Sequence, residues 1–461
     1  MKKQFFYAAM ALAVMSSCSK DNDPGIGNPE ENNDKAVIAL GLDVPTVTAS
    51  TRGTGSVGDV AGDQNTWNSQ KLYIYMVDRN TGLEAEEGAE NAKTKILDNG
   101  VLEFRAPKAD AKDKGAIRIY KTYTEDSDNG VIQYKYYPTN GQYTFYGYHI
   151  DDAANANPSI TATEKKVTGV TIDGTQDLLA AKTIDMAEND ASATDPESFY
   201  KDIATSLGSE WTTLMNYQFG ARTARKGIVP VLKFEHQLAR LKFFVRAGSE
   251  SAAGYEWQTN QWVERKSSDA EPKTLGMQVT KITLKDMANV VDMDLTVPSS
   301  TRNGAGVADF VVCSKDDAAN DKLDPTKGLI VPVVPKYPYG DRNIPESDPD
   351  TKGTQVGEPV MFFPIDNPDN GNITLSIDLK QYVEDTKDET TGTITYKEVE
   401  KADNKLTIEQ SKISGATQKF KPGASYNVYI TIYGFEKIEV TAVLTAWEDG
   451  GDIDADIEDG K

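Results

Sequence analysis

Apolar residues recur at every second position through most of this chain. Near the start, Ile38, Leu40, Leu42 and Val44 alternate with small or polar residues, and the segment runs on to Arg52 in a Gly-rich stretch. Near the end, Ile438, Val440, Ala442 and Leu444 alternate in the same way. The turn-like Glu448-Asp449-Gly450-Gly451 follows, and then Ile453, Ala455 and Ile457 alternate with aspartates. A period of two places alternate side chains on one face of a strand. Between these ends the same pattern predicts strands over 71–77, 131–137, 142–150, 229–234, 239–245, 279–284, 307–313, 329–334, 360–363, 373–379, 393–399 and 426–433. Pro138-Thr139-Asn140-Gly141 reads as a hairpin turn, because Asn-Gly accepts the positive φ that tight turns need. Arg79-Asn80-Thr81-Gly82 closes another strand.

Helical periodicity is sparse. Phe199, Ile203, Leu207 and Trp211 stand at four-residue steps and predict one helix over 198–214. The basic stretch Arg222–Gly227 reads as a linker. Residues 335–357 and the acidic segment 383–392 read as long surface loops. Short strands separated by turn chemistry predict an all-β protein built of β-sandwiches. The resulting organisation is 1–18 as a signal, 19–52 as a tether with a first strand, 53–225 as an N-terminal β-sandwich and 226–461 as a C-terminal one. Two domains suit a length of 461 residues.

The first residues carry targeting chemistry. Lys2 and Lys3 precede an apolar run from Phe5 to Met15 that is too short for a spanning helix. Met15-Ser16-Ser17-Cys18 is similar to a lipoprotein processing box, with an ordinary secretory signal as the alternative. Residues 19–35 have almost no apolar content and read as a tether. With Cys18 carrying lipid, Cys313 is the remaining cysteine, so an exported chain has no intrachain disulfide and relies on sheet packing. Cys313, in DFVVC, reads as a buried strand residue. The formal charge of −22 argues against nucleic acid and anionic membrane surfaces as partners. Tyrosine outnumbers phenylalanine, 21 to 14, which favours half-exposed strands over deep helical cores.

Catalytic chemistry is thin. The two histidines, His149 and His236, lie apart in sequence and read as packed strand residues. No H-E-x-x-H, C-x-x-C, G-x-S-x-G or P-loop pattern occurs, no cofactor is expected, and no pair of carboxylates stands out as an acid and base. Asp452-Ile453-Asp454-Ala455-Asp456 superficially resembles a calcium loop. Ile457 then stands where such loops need glycine, and the alternation favours a strand. The reading is therefore of a non-enzyme without a metal.

Lys233-Phe234-Glu235-His236-Gln237-Leu238-Ala239-Arg240-Leu241-Lys242-Phe243-Phe244-Val245 resembles the mid-chain signature of fimbrillins, the subunits of type V pili. The ending from Tyr426 to Gly451 resembles the C-terminal region of the shaft subunit of short fimbriae in that family. The lipoprotein-like start and the setting of Arg52 fit the same order. The resemblance implies two transthyretin-like β-sandwich domains in tandem. It also implies a surface subunit lipidated at Cys18 (a palmitate-bearing precursor on the outer membrane) and cut at Arg52-Gly53 by an arginine-specific protease. Loss of Ile38, Leu40, Leu42 and Val44 would open a groove for a neighbour's C-terminal segment. That donor is drawn from Ile438, Val440, Ala442 and Leu444, from Ile453, Ala455 and Ile457, or from both. The implied partners are further copies of the chain, with accessory tip and anchor subunits, in a fimbrium that supports adhesion. Several alternatives stay open. Residues 36–44 could be a permanent core strand, Arg222 or Arg225 could be the cleavage site, and IEVTAVLTAW could pair inside its own subunit, which makes DIDADI a better placed donor than IEV, and the two together better placed than either alone. A monomeric, lipid-anchored adhesin or glycan-binding protein, with Tyr134, Tyr136, Tyr146 and Tyr148 as a sugar-stacking face, is the rival from another class.

Overall fold

The computed structural model describes residues 36, 38, 40–43, 71–87, 93–97, 100–103, 118–120, 135–150, 160–186, 200–248, 250–259, 261–269, 272–315, 329–330, 354–364, 371–410 and 419–445. Among these the chain is all-β, with four short helices. In the first half the strands are β1 (Gly41–Asp43), β2 (Lys71–Asp78), β3 (Glu86–Glu87), β4 (Thr94–Lys95), β5 (Gly100–Glu103), β6 (Arg118–Tyr120), β7 (Tyr143–Ile150), β8 (Thr161–Ala162), β9 (Lys166–Thr171) and β10 (Leu178–Thr183). Helices α1 (Lys201–Leu207), α2 (Ser209–Met215) and α3 (Ala221–Ala224) follow. Next come β11 (Val231–His236), β12 (Ala239–Ala247), α4 (Glu250–Ala253), β13 (Tyr255–Gln258), β14 (Gln261–Glu264), β15 (Gln278–Ala288), β16 (Val290–Asp294), β17 (Ser299–Arg302) and β18 (Val307–Ser314). The last strands are β19 (Leu329–Ile330), β20 (Thr354–Phe362), β21 (Ile373–Lys387), β22 (Ile394–Ile408), β23 (Ser425–Gly434) and β24 (Lys437–Thr445).

A seven-stranded sheet has the order β1-β11-β10-β7-β2-β5-β6. A second sheet, β20-β12-β23-β24, and a third, β18-β15-β21-β22, form most of the C-terminal half. A fourth, β17-β16-β9-β8, joins strands from both halves through antiparallel pairing of β16 with β9. Strand β11, just past the expected division at 225/226, lies in the seven-stranded sheet, and β12 lies in the next.

Period-two alternation explains why two cores form. On one face of the seven-stranded sheet, Leu72, Ile74, Met76, Phe145, Leu179, Ala181, Leu232 and Phe234 are buried together with side chains of the helices. The intervening Tyr75, Tyr148, Ile150, Leu178 and Ala180 belong to the larger core shared with the C-terminal sheets. The stretch Lys233–Val245 is the crossing between them. Phe234 ends in the first core, and Leu238, Ala239, Leu241, Phe243 and Val245 enter the second. Both histidines are buried, as is Cys313.

Four local expectations change. The single helix expected over 198–214 is two helices broken at Gly208, which has φ 54°. A Cβ there would meet nothing within 4 Å, so the dihedral alone calls for glycine. The expected linker Arg222–Gly227 contains most of helix α3, whose end is closed by Arg225 N donating to Ala221 O at 3.1 Å. The expected acidic loop 383–392 is largely a ribbon, because β21 continues to Lys387 opposite β22. Lys397 Nζ lies 2.8 Å from the Asp385 carboxylate across it, and Thr386 and Thr395 share a hydroxyl hydrogen bond of 2.7 Å. Residues 354–357, at the end of the other expected loop, begin β20. Strands β3, β4, β5, β6, β8, β9, β10, β13, β14, β16 and β17 had no sequence expectation; most are short or carry small and polar residues.

Candidate strand-exchange site

Two short backbone contacts hold the described residues between Ala36 and Asp43, the second of them at the edge of the seven-stranded sheet. Ile38 N donates to Lys135 O at 2.8 Å, and Tyr137 N donates to Ala36 O at 2.9 Å; this reciprocal pattern is antiparallel. Beyond it, β1 runs parallel to β11, with Gly41, Leu42 and Asp43 opposite Val231, Leu232 and Lys233. The backbone ladder is therefore short and changes partner midway. The side chains hold more of the segment. Ala36, Ile38 and Leu40 are buried in the first core. Burying aliphatic side chains contributes about 1.5–3 kcal/mol each for those of Leu or Ile size.

Below the segment lies an aromatic cluster. Tyr137 and Phe145 meet edge to face at 6.3 Å, and Tyr200 lies 6.1 Å from Trp211 and 6.0 Å from Phe219. Helices α1 and α2 supply Ala204, Trp211 and Leu214 to the same core. Burial pushes the Tyr137 and Tyr200 phenols well above the ordinary range, and burial together with the nearby Asp78 charge pushes Tyr143 up to about 12. All three stay neutral across physiological pH. The Tyr200 hydroxyl accepts a 2.9 Å hydrogen bond from Val231 N at the start of β11. Tyr200→Phe leaves that part-buried donor without its partner and lowers stability by about 1–2 kcal/mol, as a fall in the denaturant midpoint at unchanged slope would report.

The other end of β11 is fixed by a buried pair. His236 Nδ1 lies 2.9 Å from Asp177 Oδ2, both side chains nearly inaccessible. Gln237 N donates to Leu178 O at 2.8 Å. Beside this end, where the described pairing of β1 stops at Lys233, a cleft of about 410 Å³ is lined by Lys233–Gln237, Pro298–Ser300, Pro422 and Gly423.

The sequence-selected residues fall in different places. Ile38 and Leu40 are buried, and Leu42 contributes backbone to β1. Cys18, Val44, Arg52 and Gly53, and the tail residues Ile453, Ala455 and Ile457, lie outside the described residues. Ile438, Val440, Ala442 and Leu444 belong to β24, which pairs antiparallel with β23 of the same chain along its whole length. Ala442 is buried there, and Ile438 and Val440 are half-buried. The alternative cleavage arginines are in or beside a helix. Arg222 stacks over the Tyr217 ring at 4.6 Å, and Arg225 caps α3. The described tyrosines proposed as a sugar platform are buried or half-buried. Tyr148 is buried and stacked on Tyr73 at 4.9 Å, Tyr136 and Tyr146 are half-buried, and Tyr134 lies outside the described residues. Among the described residues no group of three or more His, Cys, Asp or Glu could hold a metal ion. Of the strand expected over 131–137, residues 131–134 lie outside the described residues and Lys135–Tyr137 form only a short bridge to Ala36 and Ile38; the capping role of Tyr200 escaped the sequence reading, since a side chain brought from beside a helix leaves no periodic signal.

No family model matches the sequence, and no curated protein matches it. Solved structures with which the chain shares a distant likeness include a candidate cell adhesion protein from Bacteroides uniformis, at 12% identity and a TM-score of 0.38, covering 91% of this chain and 100% of that one. A C-terminally truncated tip fimbrial protein from Porphyromonas gingivalis aligns at 11% identity and a TM-score of 0.29, over 82% of this chain and 95% of that one. A candidate polysaccharide-binding protein from Bacteroides thetaiotaomicron aligns at 8% identity and a TM-score of 0.32, over 89% and 96%.

Proposed function

We propose that this protein is a structural subunit of a cell-surface fimbrium that polymerises by protease-triggered strand exchange. In this reading the precursor is held on the outer membrane by lipid on Cys18. An arginine-specific protease cuts Arg52–Gly53, the segment before the cut departs, and a neighbouring copy supplies a C-terminal strand to the opened edge. Tip and anchor subunits are its further partners, and no catalysis is required of it.

The observation that carries the reading is the position of residues 36–43. Two short backbone contacts hold the described residues there, the second at a sheet edge, yet Ala36, Ile38 and Leu40 fill the core. A resident strand of this kind keeps an aggregation-prone edge covered until it is removed. A new strand can then restore both the backbone pairing and the apolar contacts. Copies joined head to tail in this way build filaments, because such contacts do not close. Arg52 suits cleavage better than Arg222 or Arg225, whose backbone is tied into or onto α3. The tail beyond Thr445 suits donation better than β24, which would first have to abandon its ladder with β23.

Arg52→Ala tests the cleavage step. The variant is expected to reach the surface, keep its N-terminal segment and remain monomeric on native gels of surface extracts. Filaments of normal length from it, without a cut elsewhere, would sink the reading.

A further inference from the structure

The strand order brings the start of the tail close to the slot of its own chain. Thr445, the last residue of β24, pairs with Ser425 of β23, and Ser425 pairs with Arg240 of β12. Arg240 follows directly from the end of β11, four residues past His236. Two strand spacings, about 10 Å, and four residues, about 13 Å, therefore bound the distance from Thr445 to His236 at roughly 23 Å. Residues 446–461 can extend about 53 Å. Ile453, eight residues beyond Thr445, reaches about 26 Å, just enough to arrive at His236. A strand from Ile453 onward then lies along β11.

We infer that the chain's own segment 446–461 is the first occupant of the slot once residues 36–43 leave, so that the cleaved subunit is self-capped before it polymerises. This rests on the strand-exchange reading. The tail enters through the cleft beside Lys233–Gln237, where β11 runs past the described pairing of β1. Arriving at the C-terminal end of β11, it runs antiparallel to that strand, opposite in direction to β1. Ile453, Ala455 and Ile457 face inward above the first core. Asp454 and Asp456 face outward, opposite Glu235 and the exposed Lys233, since β11 buries Leu232, Phe234 and His236 and exposes the residues between. Filament growth is then an exchange of a tail in cis for a tail in trans, and the cis form limits self-aggregation of newly cut subunits.

Cysteine pairs test this in the full chain carrying Cys18→Ser, with Cys313 left in place because it is fully buried. One variant carries Lys233→Cys with Asp456→Cys, the other Glu235→Cys with Asp454→Cys. Each is cut with an arginine-specific endoprotease, loss of residues 1–52 is verified by mass, and disulfide formation is followed at several dilutions. A disulfide needs the two Cα atoms within about 7 Å, so it reports strand pairing directly. The expected result is a monomer-mass disulfide that forms after cleavage, at a rate independent of dilution and at least tenfold faster than before cleavage. A ladder of linked chains alone, slowing with dilution, overturns the cis occupation while leaving strand exchange standing. No disulfide in either variant after verified loss of the first strand overturns the cis occupation. A monomer-mass disulfide formed equally fast before cleavage shows that the tail does not wait for the slot, and also overturns the inference.

Discussion

Replacing Ile38 and Leu40 together by alanine destabilises the uncut protein by about 4 kcal/mol or more and leaves the cut, assembled form unaffected. Both side chains are buried, at 2% and 6% exposure, in a core shared with Leu232, Phe234 and Trp211. Large-to-small changes at such positions cost about 2–5 kcal/mol each, and neighbours of one cavity need not add. Domains are stable by only about 5–15 kcal/mol, so the double variant removes a large share of the total. An ordinary core strand would carry this loss into every form of the protein. A strand that departs on cleavage carries it only in the precursor. Denaturant unfolding of the two forms separates these cases: equal losses in both would make residues 36–43 permanent.

Removal of residues 448–461 leaves a folded subunit that cannot extend a chain. The described ladder of β24 with β23 ends at Thr445, so the truncation leaves every described hydrogen bond in place. The lost segment carries Ile453, Ala455 and Ile457, the apolar set available to a neighbour without dismantling a sheet. Unfolding of the uncut protein is expected within about 0.5 kcal/mol of the parent, as for surface changes away from buried features. Cut and incubated at high concentration, the truncated form is expected to give no ladder on denaturing gels run without heating. Filaments of normal length would instead assign donation to β24 or to another surface.

Much of the architecture was legible because burial in sheets imposes a period of two. KLYIYMV, YTFYGYHI and YNVYITIYG alternate strongly and are strands β2, β7 and β23. The alternation of Ile38 and Leu40 likewise marked an inward face, and both are inward. The signature around His236 was legible as a pattern but not as a crossing. Only the fold shows that Phe234 and Leu238 enter different cores. The acidic 383–392 stretch misled because charge argues for solvent, and a two-stranded ribbon can be solvated on both faces while cross-strand pairs such as Lys397–Asp385 hold it. The broken helix misled because four-residue spacing survives a single glycine at positive φ. The pairing of β16 with β9 joins residues more than a hundred positions apart, and no local pattern encodes a partner at that distance.

The most direct measurement is the intact mass and N-terminal sequence of subunits taken from the cell surface in assembled form. The strand-exchange account predicts a chain that begins at Gly53, without lipid and without Ile38 and Leu40. A lipid-bearing Cys18 at the start of every surface subunit would contradict it and leave a tethered monomer in its place.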